Sequence, residues 1–294
     1  MKHGVYEEDG KFCVYVNGEV FCRSRTSERA NKLFADKTGG AAKPEQAEST
    51  AKQAPKFHIN QRFKFLEKTV KMVAAGIQPS AVISGKGGLG KSFSVTKALK
   101  DAGFVNSAFD DRNGAGKNFV VVKGYSTAKG LFRTLFENND SVIVMDDTDS
   151  VLKDPVAINI LKAALDSYDT RVISWNADMR DDDLPRSFIF TGRVIFISNL
   201  PENKIDQAIR SRSAVIDVSM TLQETVDRMS AMIQDDLFLP EYEMTVKMGA
   251  LQFIDEKKDM MSDVNLRTLI TVAKVRAADE DGTWKEMAEY LTCR

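Results

Sequence analysis

The most specific chemistry in this 294-residue chain lies in one run, Gly85-Lys86-Gly87-Gly88-Leu89-Gly90-Lys91-Ser92. It matches G-x-x-x-x-G-K-[ST], a loop whose backbone N–H groups wrap phosphates. Glycines suit it because a Cβ would obstruct the inward-turned amides. The following helix start adds positive partial charge. Lys91 is placed to reach the β- and γ-phosphates of a nucleotide, and the Ser92 hydroxyl to ligate Mg²⁺. A second signal stands 55 residues after Lys91, where the apolar run Val142-Ile143-Val144-Met145 ends in Asp146-Asp147. Carboxylates at the carboxyl end of a buried strand sit where ligands of such sheets bind. Asp146 is positioned to hold Mg²⁺ through its water shell, and Asp147 to orient and activate an attacking water.

The elements that must position these groups are legible as alternation. Short apolar runs at Ala81–Ser84, Phe119–Val122, Val142–Met145, Val194–Ser198 and Ala214–Val218 are separated by segments of helical periodicity. Ala128, Leu131, Phe132, Leu135 and Phe136 form one apolar helix face. Runs alternating with helices predict a parallel sheet covered on both faces. After Ser219 the strand signal stops and four helical segments follow. Upstream, Lys11–Val16 and Glu19–Arg25 flank Asn17-Gly18, a tight-hairpin signal. A helix from Thr26 or Ser27 to about Lys37 completes a ββα module with Ala30, Leu33 and Phe34 on one face. That hairpin register sets Cys13 opposite Cys22, which permits a cross-strand disulfide, although a reducing compartment favours two thiols. The expected organisation is a module over 1–37, a linker over 38–56, an α/β core over 57–219 and an α-helical lid over 220–294.

Loop, acidic strand end and helical C-terminal unit together resemble the AAA+ ATPases, over roughly Phe57 to Arg294. The resemblance implies a core strand order of 5-1-4-3-2. It also implies a polar sensor at the tip of the fourth strand, a position held here by Asn199. An arginine finger is implied just before the fifth strand, where Arg212 is the first choice and Arg210 the alternate. A second sensor is implied in the third lid helix, at Arg267. ATP and Mg²⁺ are the implied ligands, and a homo-oligomeric ring, a homo-hexamer, is the implied assembly. One departure stands out: the family usually has Glu where Asp147 stands, and the shorter carboxylate implies slow intrinsic hydrolysis. The compact format resembles ATPases of phages and other mobile elements, which places the chain in a host cytoplasm.

What such a ring acts on is less determined by sequence. Residues 1–75 carry 14 Lys/Arg against 9 Asp/Glu, in a chain of net charge −1. A basic arm on an acidic body can attract nucleic acid. Ser187–Phe190 and Arg193–Ser198, joined by Thr191-Gly192, read as a hairpin before Asn199, and family members with such an insertion act on nucleic acid. Beside it, Asp181-Asp182-Asp183 would repel phosphates. Nucleic-acid work of the replication or helicase-loading kind is therefore the first reading. A protein-remodelling ATPase is the alternative, with Tyr125 as a pore-loop aromatic and the N-terminal module as the adaptor for a protein partner. A ring helicase of the viral superfamily III type is a further one, on Ile160–Ser167, Arg171–Trp175 and Ser198-Asn199. The composition, 43% apolar and 28% charged, excludes a wholly disordered chain. No window approaches the roughly 18 apolar residues of a membrane span, so no membrane partner is expected. His3 and His58 lie far from the motifs, and no Cys/His cluster has metal-ligand spacing. The nucleotide's Mg²⁺ is the metal expected.

Overall fold

A computed structural model describes residues 4–8, 11–24, 30, 33–34, 37, 56–107, 117–176 and 184–293. The chain divides into two units, Met1–Lys56 and Phe57–Arg294. The Asp181-Asp182-Asp183 run and the cap at Thr26 or Ser27 lie outside the described residues.

In the first unit, β1 (Gly4–Glu8), β2 (Lys11–Val16) and β3 (Glu19–Ser24) form an antiparallel sheet in that order. The module has a third strand besides the two expected: Gly4–Glu8 alternates too weakly to be read as a strand alone and is recruited by pairing with β2, while Ala30, Leu33, Phe34 and Lys37 are helical where the helix is expected. Val14 packs with Ala30 and Phe34 in a small core. The turn at Asn17-Gly18 forms as read, both residues taking positive φ. The strand register does not carry through. A bulge shifts it, so Cys13 faces Arg23 and Val14 faces Cys22. Both cysteines are free thiols. One extra residue in β3 is enough to end the expected Cys13–Cys22 opposition.

The second unit is built on a six-stranded parallel sheet. Its strands in chain order are β4 (Ser80–Ser84), β5 (Val105–Asn106), β6 (Asn118–Lys123), β7 (Val142–Asp146), β10 (Arg193–Ser198) and β11 (Ala214–Asp217). Across the sheet the order is β11-β4-β10-β7-β6-β5. This is the 5-1-4-3-2 order of a P-loop NTPase fold, with two-residue β5 added outside β6. Period-two alternation divides the strands between two cores. Val82, Ile143, Met145, Val194 and Phe196 face one layer with α3 (Ala128–Glu137), α4 (Pro155–Ala164) and α5 (Gln207–Arg212). Ala81, Ile83, Val142, Val144, Ile195 and Ile197 face the other, with α1 (Ile59–Ala74) and α2 (Lys91–Asp101). Each fully buried Val or Ile contributes about 1.5–3 kcal/mol, which is why these runs are continuously apolar rather than alternating with polar residues.

The expected hairpin between Ser187–Phe190 and Arg193–Ser198 is corrected. The strand β9 (Ser187–Ile189) pairs antiparallel with β8 (Val172–Ser174) in a separate two-stranded sheet. β10 cannot serve as its partner, because both its edges are taken by β4 and β7. A hairpin thus does precede β10, but its first arm is the Val172–Ser174 segment.

Four helices close the unit: α6 (Leu222–Met232), α7 (Met244–Lys257), α8 (Leu266–Ala277) and α9 (Trp284–Thr292). They share a core of Met229, Phe253, Leu269 and Val272, against which Phe93 of α2 packs. Polar contacts tie α6 to the sheet layer. Arg62 of α1 donates to Glu224 at 2.7 Å and also to the Ser219 carbonyl. Arg228 stacks on Phe63 at 3.7 Å and donates to Ser94 Oγ at 3.1 Å. Burial pushes its guanidinium down to about 10, against the opposing pull of Glu67 and Asp235. Lys97 pairs with Asp235. No helix among the described residues is long and apolar enough to cross a membrane.

Burial works against ionisation of Glu224, but bonds from the Thr221 amide and Arg62 outweigh it and hold its carboxyl below the ordinary 4.5. A depressed folded value means the stabilisation is complete above about pH 4.5 and is lost as pH falls through the lower folded value. Glu224→Gln should therefore cost about 2 kcal/mol at neutral pH. In urea denaturation, the gap between variant and parent should close below that pH.

Candidate functional site

The phosphate loop runs from the carboxyl end of β4 into α2, and its form follows from its glycines. Gly85, Gly88 and Gly90 all have positive φ, and Gly90 stands at the N-cap of α2 in the left-handed region. A Cβ on Gly88 would lie 2.8 Å from Asn265, and one on Gly90 2.8 Å from Leu266. These glycines therefore also allow the lid to sit directly on the loop. The Leu266 amide donates to the Gly88 carbonyl at 2.9 Å. Asn265 caps α8 by accepting from the Arg267 and Thr268 amides.

Inside the loop, Lys91 is 5% exposed. Its ammonium donates to Gly85 O at 2.6 Å, Lys86 O at 2.7 Å and Asn199 Oδ1 at 3.0 Å. All three acceptors are neutral. Burial pushes this lysine down to about 8, opposed by the charges of Asp147, Asp146 and Asp149, while Arg267 adds to the lowering. The amide of Asn199 turns its oxygen to Lys91 and donates from Nδ2 to Asp147 Oδ1 at 2.6 Å. This residue thus links the cation of the loop to the second carboxylate, across the step from β10 to β7.

The two carboxylates differ in setting. Asp146 is 2% exposed and accepts from Ser92 Oγ at 2.9 Å. Its other oxygen lies 3.1 Å from Lys123 Nζ, at the end of β6. Asp147 is exposed and holds φ 56°, with its amide donating to Ile197 O at 3.2 Å. That left-handed conformation takes the chain out of its extended path directly after Asp146, the last residue of β7. A hydroxyl beside a carboxylate is a hard-oxygen donor set suited to Mg²⁺. A buried ammonium satisfied only by neutral oxygens is suited to a phosphate anion. The residues fit both ligands.

The loop, Asp146, Asp147, Asn199 and Arg267 all line one cavity of about 350 Å³. Its remaining wall is apolar: Phe93, Met232, Phe238, Leu239 and Ile270. Such a wall beside a phosphate cradle suits a flat heteroaromatic base. Sequence reasoning missed this wall and Lys123, because lid residues and a neighbouring strand end converge only through tertiary packing. Arg210 and Arg212 are not in the cavity. Arg210 donates to Ile205 O and faces Glu202, and Arg212 donates to Ala208 O. The Arg212 carbonyl accepts from Ser80, the first residue of β4, whereas the loop follows the last. A five-residue strand spans about 16 Å, beyond the reach of an arginine side chain. Tyr125 is 83% exposed on the loop after β6, away from the cavity lining.

A phosphate loop in a six-stranded parallel sheet flanked by helices defines the class as a P-loop NTPase fold. No family model matches the chain. Over 259 residues it is 27% identical to an uncharacterized 36.7 kDa protein of Enterobacteria phage T4 from the nrdC-mobD intergenic region. That match covers 79% of this chain and 74% of the relative. A structure of C. elegans PCH-2 matches 79% of this chain and 68% of that one, at 12% identity and a TM-score of 0.36. Likenesses this distant assign no activity, so the chemistry has to follow from the site.

Lys91→Ala removes the one cation buried among the loop carbonyls. ATP binding, followed by titration of a fluorescent analogue, should weaken at least about a hundredfold. Unchanged affinity would mean that the loop does not hold phosphate.

Proposed function

We propose that the protein is an AAA+ ATPase that hydrolyses ATP at sites shared between copies in a homo-oligomeric ring. The observation that carries this reading is Asn199, which joins Lys91 to Asp147 from the strand between them. A polar residue there senses the group that lies between loop and carboxylate. In this reading the loop amides and Lys91 bind the phosphate chain, and the apolar wall takes the base. Ser92 and Asp146 would hold Mg²⁺, which when bound neutralises charge on the β- and γ-phosphates. Asp147 takes a proton from the attacking water, with Asn199 fixing which carboxylate oxygen stays free. Arg267 enters from the lid and stabilises phosphate charge.

The oligomer is supported by where the arginines are not. Arg212 stands at the opposite end of β4 from its own loop, so a role at a transition state requires a second copy. For the substrate of the ring, nucleic acid is the reading supported by the basic first 75 residues and by the β8–β9 hairpin before β10. The exposed Tyr125 favours a threaded protein as the second reading. ATPase rates with single-stranded DNA, duplex DNA and candidate proteins separate the two, since the true substrate should accelerate turnover.

Asp147→Asn should keep ATP affinity and lose hydrolysis, because an amide cannot accept the proton. Asp147→Glu should raise the rate if the short carboxylate limits it. A steady-state rate untouched by Asp147→Asn would remove this residue from the mechanism.

Arg212→Ala should hold ATP at the phosphate loop nearly as the parent does while losing roughly 10³-fold in turnover. Mixed with the Asp147→Asn chain, it should recover activity, since one interface then pairs an intact arginine with an intact carboxylate. A mixture that stays inactive while Arg210→Ala alone shows the defect would transfer the role to Arg210. Two fully active arginine variants would end the shared-site reading.

A further inference from the structure

A second cavity, of about 660 Å³, opens at the amino ends of β4 and β10, opposite the phosphate loop. Arg171, Arg193 and Arg212 all line it. Their hydrogen-bond acceptors are backbone carbonyls throughout. Arg171 donates to Ala164 O at 2.9 Å and Gly192 O at 2.8 Å, Arg193 to Ala74 O at 3.2 Å and Arg212 to Ala208 O at 3.1 Å. Among the described residues none of the three forms an ion pair with a carboxylate. Asp166 and Asp169 share the cavity, and Asp166 is turned to accept from the Ser167 amide at 2.8 Å.

Each guanidinium carries five N–H donors, and these carbonyls use one or two of them. Burial first, then the neighbouring Arg193 charge, holds Arg171 below the usual arginine range, and burial does the same to Arg193. Arg171 also lies over the Phe190 ring at 5.1 Å, but half-buried like charges whose hydrogen bonds go only to neutral carbonyls remain electrostatically unfavourable. A polyanion with closely spaced oxygens removes that repulsion and uses the remaining donors. Planar guanidinium forks fit phosphate oxygens better than point charges do.

We propose that this cavity is a second anion site, built by Arg171, Arg193 and Arg212, that takes the phosphate chain of a nucleotide. The nucleotide is either free or presented by the loop of another copy. Because Arg212 stands in it, the cavity would extend the shared site from one arginine to three. The binding itself does not depend on turnover, so it can fail or hold independently of the ATPase reading.

The test uses inorganic tripolyphosphate and isothermal titration on the full chain carrying Lys91→Ala, with circular dichroism to verify folding. Binding should persist in this background and weaken with added salt. It should fall about tenfold to a hundredfold with Arg193→Gln, whose amide can still donate to Ala74 O. Arg212→Gln should cause a comparable loss without touching the contacts of Arg171 or Arg193. In the chain with Lys91 intact, stoichiometry should drop from two tripolyphosphates to one with Arg193→Gln. This second measurement decides the matter if Lys91→Ala does not fold. Sedimentation then separates the sources. ATP-dependent assembly that Arg193→Gln abolishes marks a nucleotide presented by a neighbour, and a saturated monomer marks a free one. No binding in folded Lys91→Ala, or binding indifferent to both arginine variants, overturns the proposal. So does an oligonucleotide that needs Arg193 and is not displaced by tripolyphosphate.

Discussion

A buried ammonium with no carboxylate in contact among the described residues is the constraint on which the rest of the second unit depends. Lys91 is held by two loop carbonyls and one side-chain amide. Burying a charge among neutral oxygens is costly, and burial accordingly lowers its proton affinity. The loop can hold it only if its carbonyls turn inward at one point and its amides at others. That requires the positive φ values of Gly85, Gly88 and Gly90. The third acceptor, Asn199, must come from β10, so the cradle exists only when β10 is inserted between β4 and β7. Sheet order is thus part of the site.

The lid belongs to the same arrangement. Leu266 and Asn265 press against Gly88 and Gly90 where side chains would collide. Meanwhile α6 is fastened to α1 and α2 by Arg62–Glu224, Arg228 on Phe63 and Lys97–Asp235. The glycines therefore serve two surfaces at once, phosphate on one side and lid on the other. The apolar wall of the cavity is the lid's own core surfacing beside the loop, with Phe93 shared between them. Binding a base there adds contacts to a core that is already folded, which couples the state of the site to the packing of the lid.

Charge is distributed to opposite ends of the sheet. Asp146 and Asp147 stand with Lys91 and Arg267 at the carboxyl end of β7, while Arg171, Arg193 and Arg212 stand with Asp166 and Asp169 at the amino ends of β4 and β10. Within one chain these ends are a strand's length apart. The separation keeps Arg171, Arg193 and Arg212 away from the phosphate loop of their own chain, whereas Arg267 of the lid lines its cavity.

The sequence by itself determined the loop, the acidic strand end, the buried parallel strands and the helical lid. Each of these is encoded locally: a contiguous motif, a continuous apolar run, a 3.6-residue period. Asn199 and Arg267 were singled out only by the resemblance to the AAA+ ATPases, and the structure brings both to the cavity. Tertiary structure alone decided the rest. The partner of Ser187–Ile189 depended on which edges of β10 were free, and a single bulge residue moved Cys13 off Cys22. The two-residue β5 has no pattern of its own and exists only by pairing with β6. Lys123 meets Asp146, and three arginines line one cavity, because distant segments end at the same level of the sheet. Strand pairing and charge clustering are competitions among all available partners, and no window of sequence contains those competitors together.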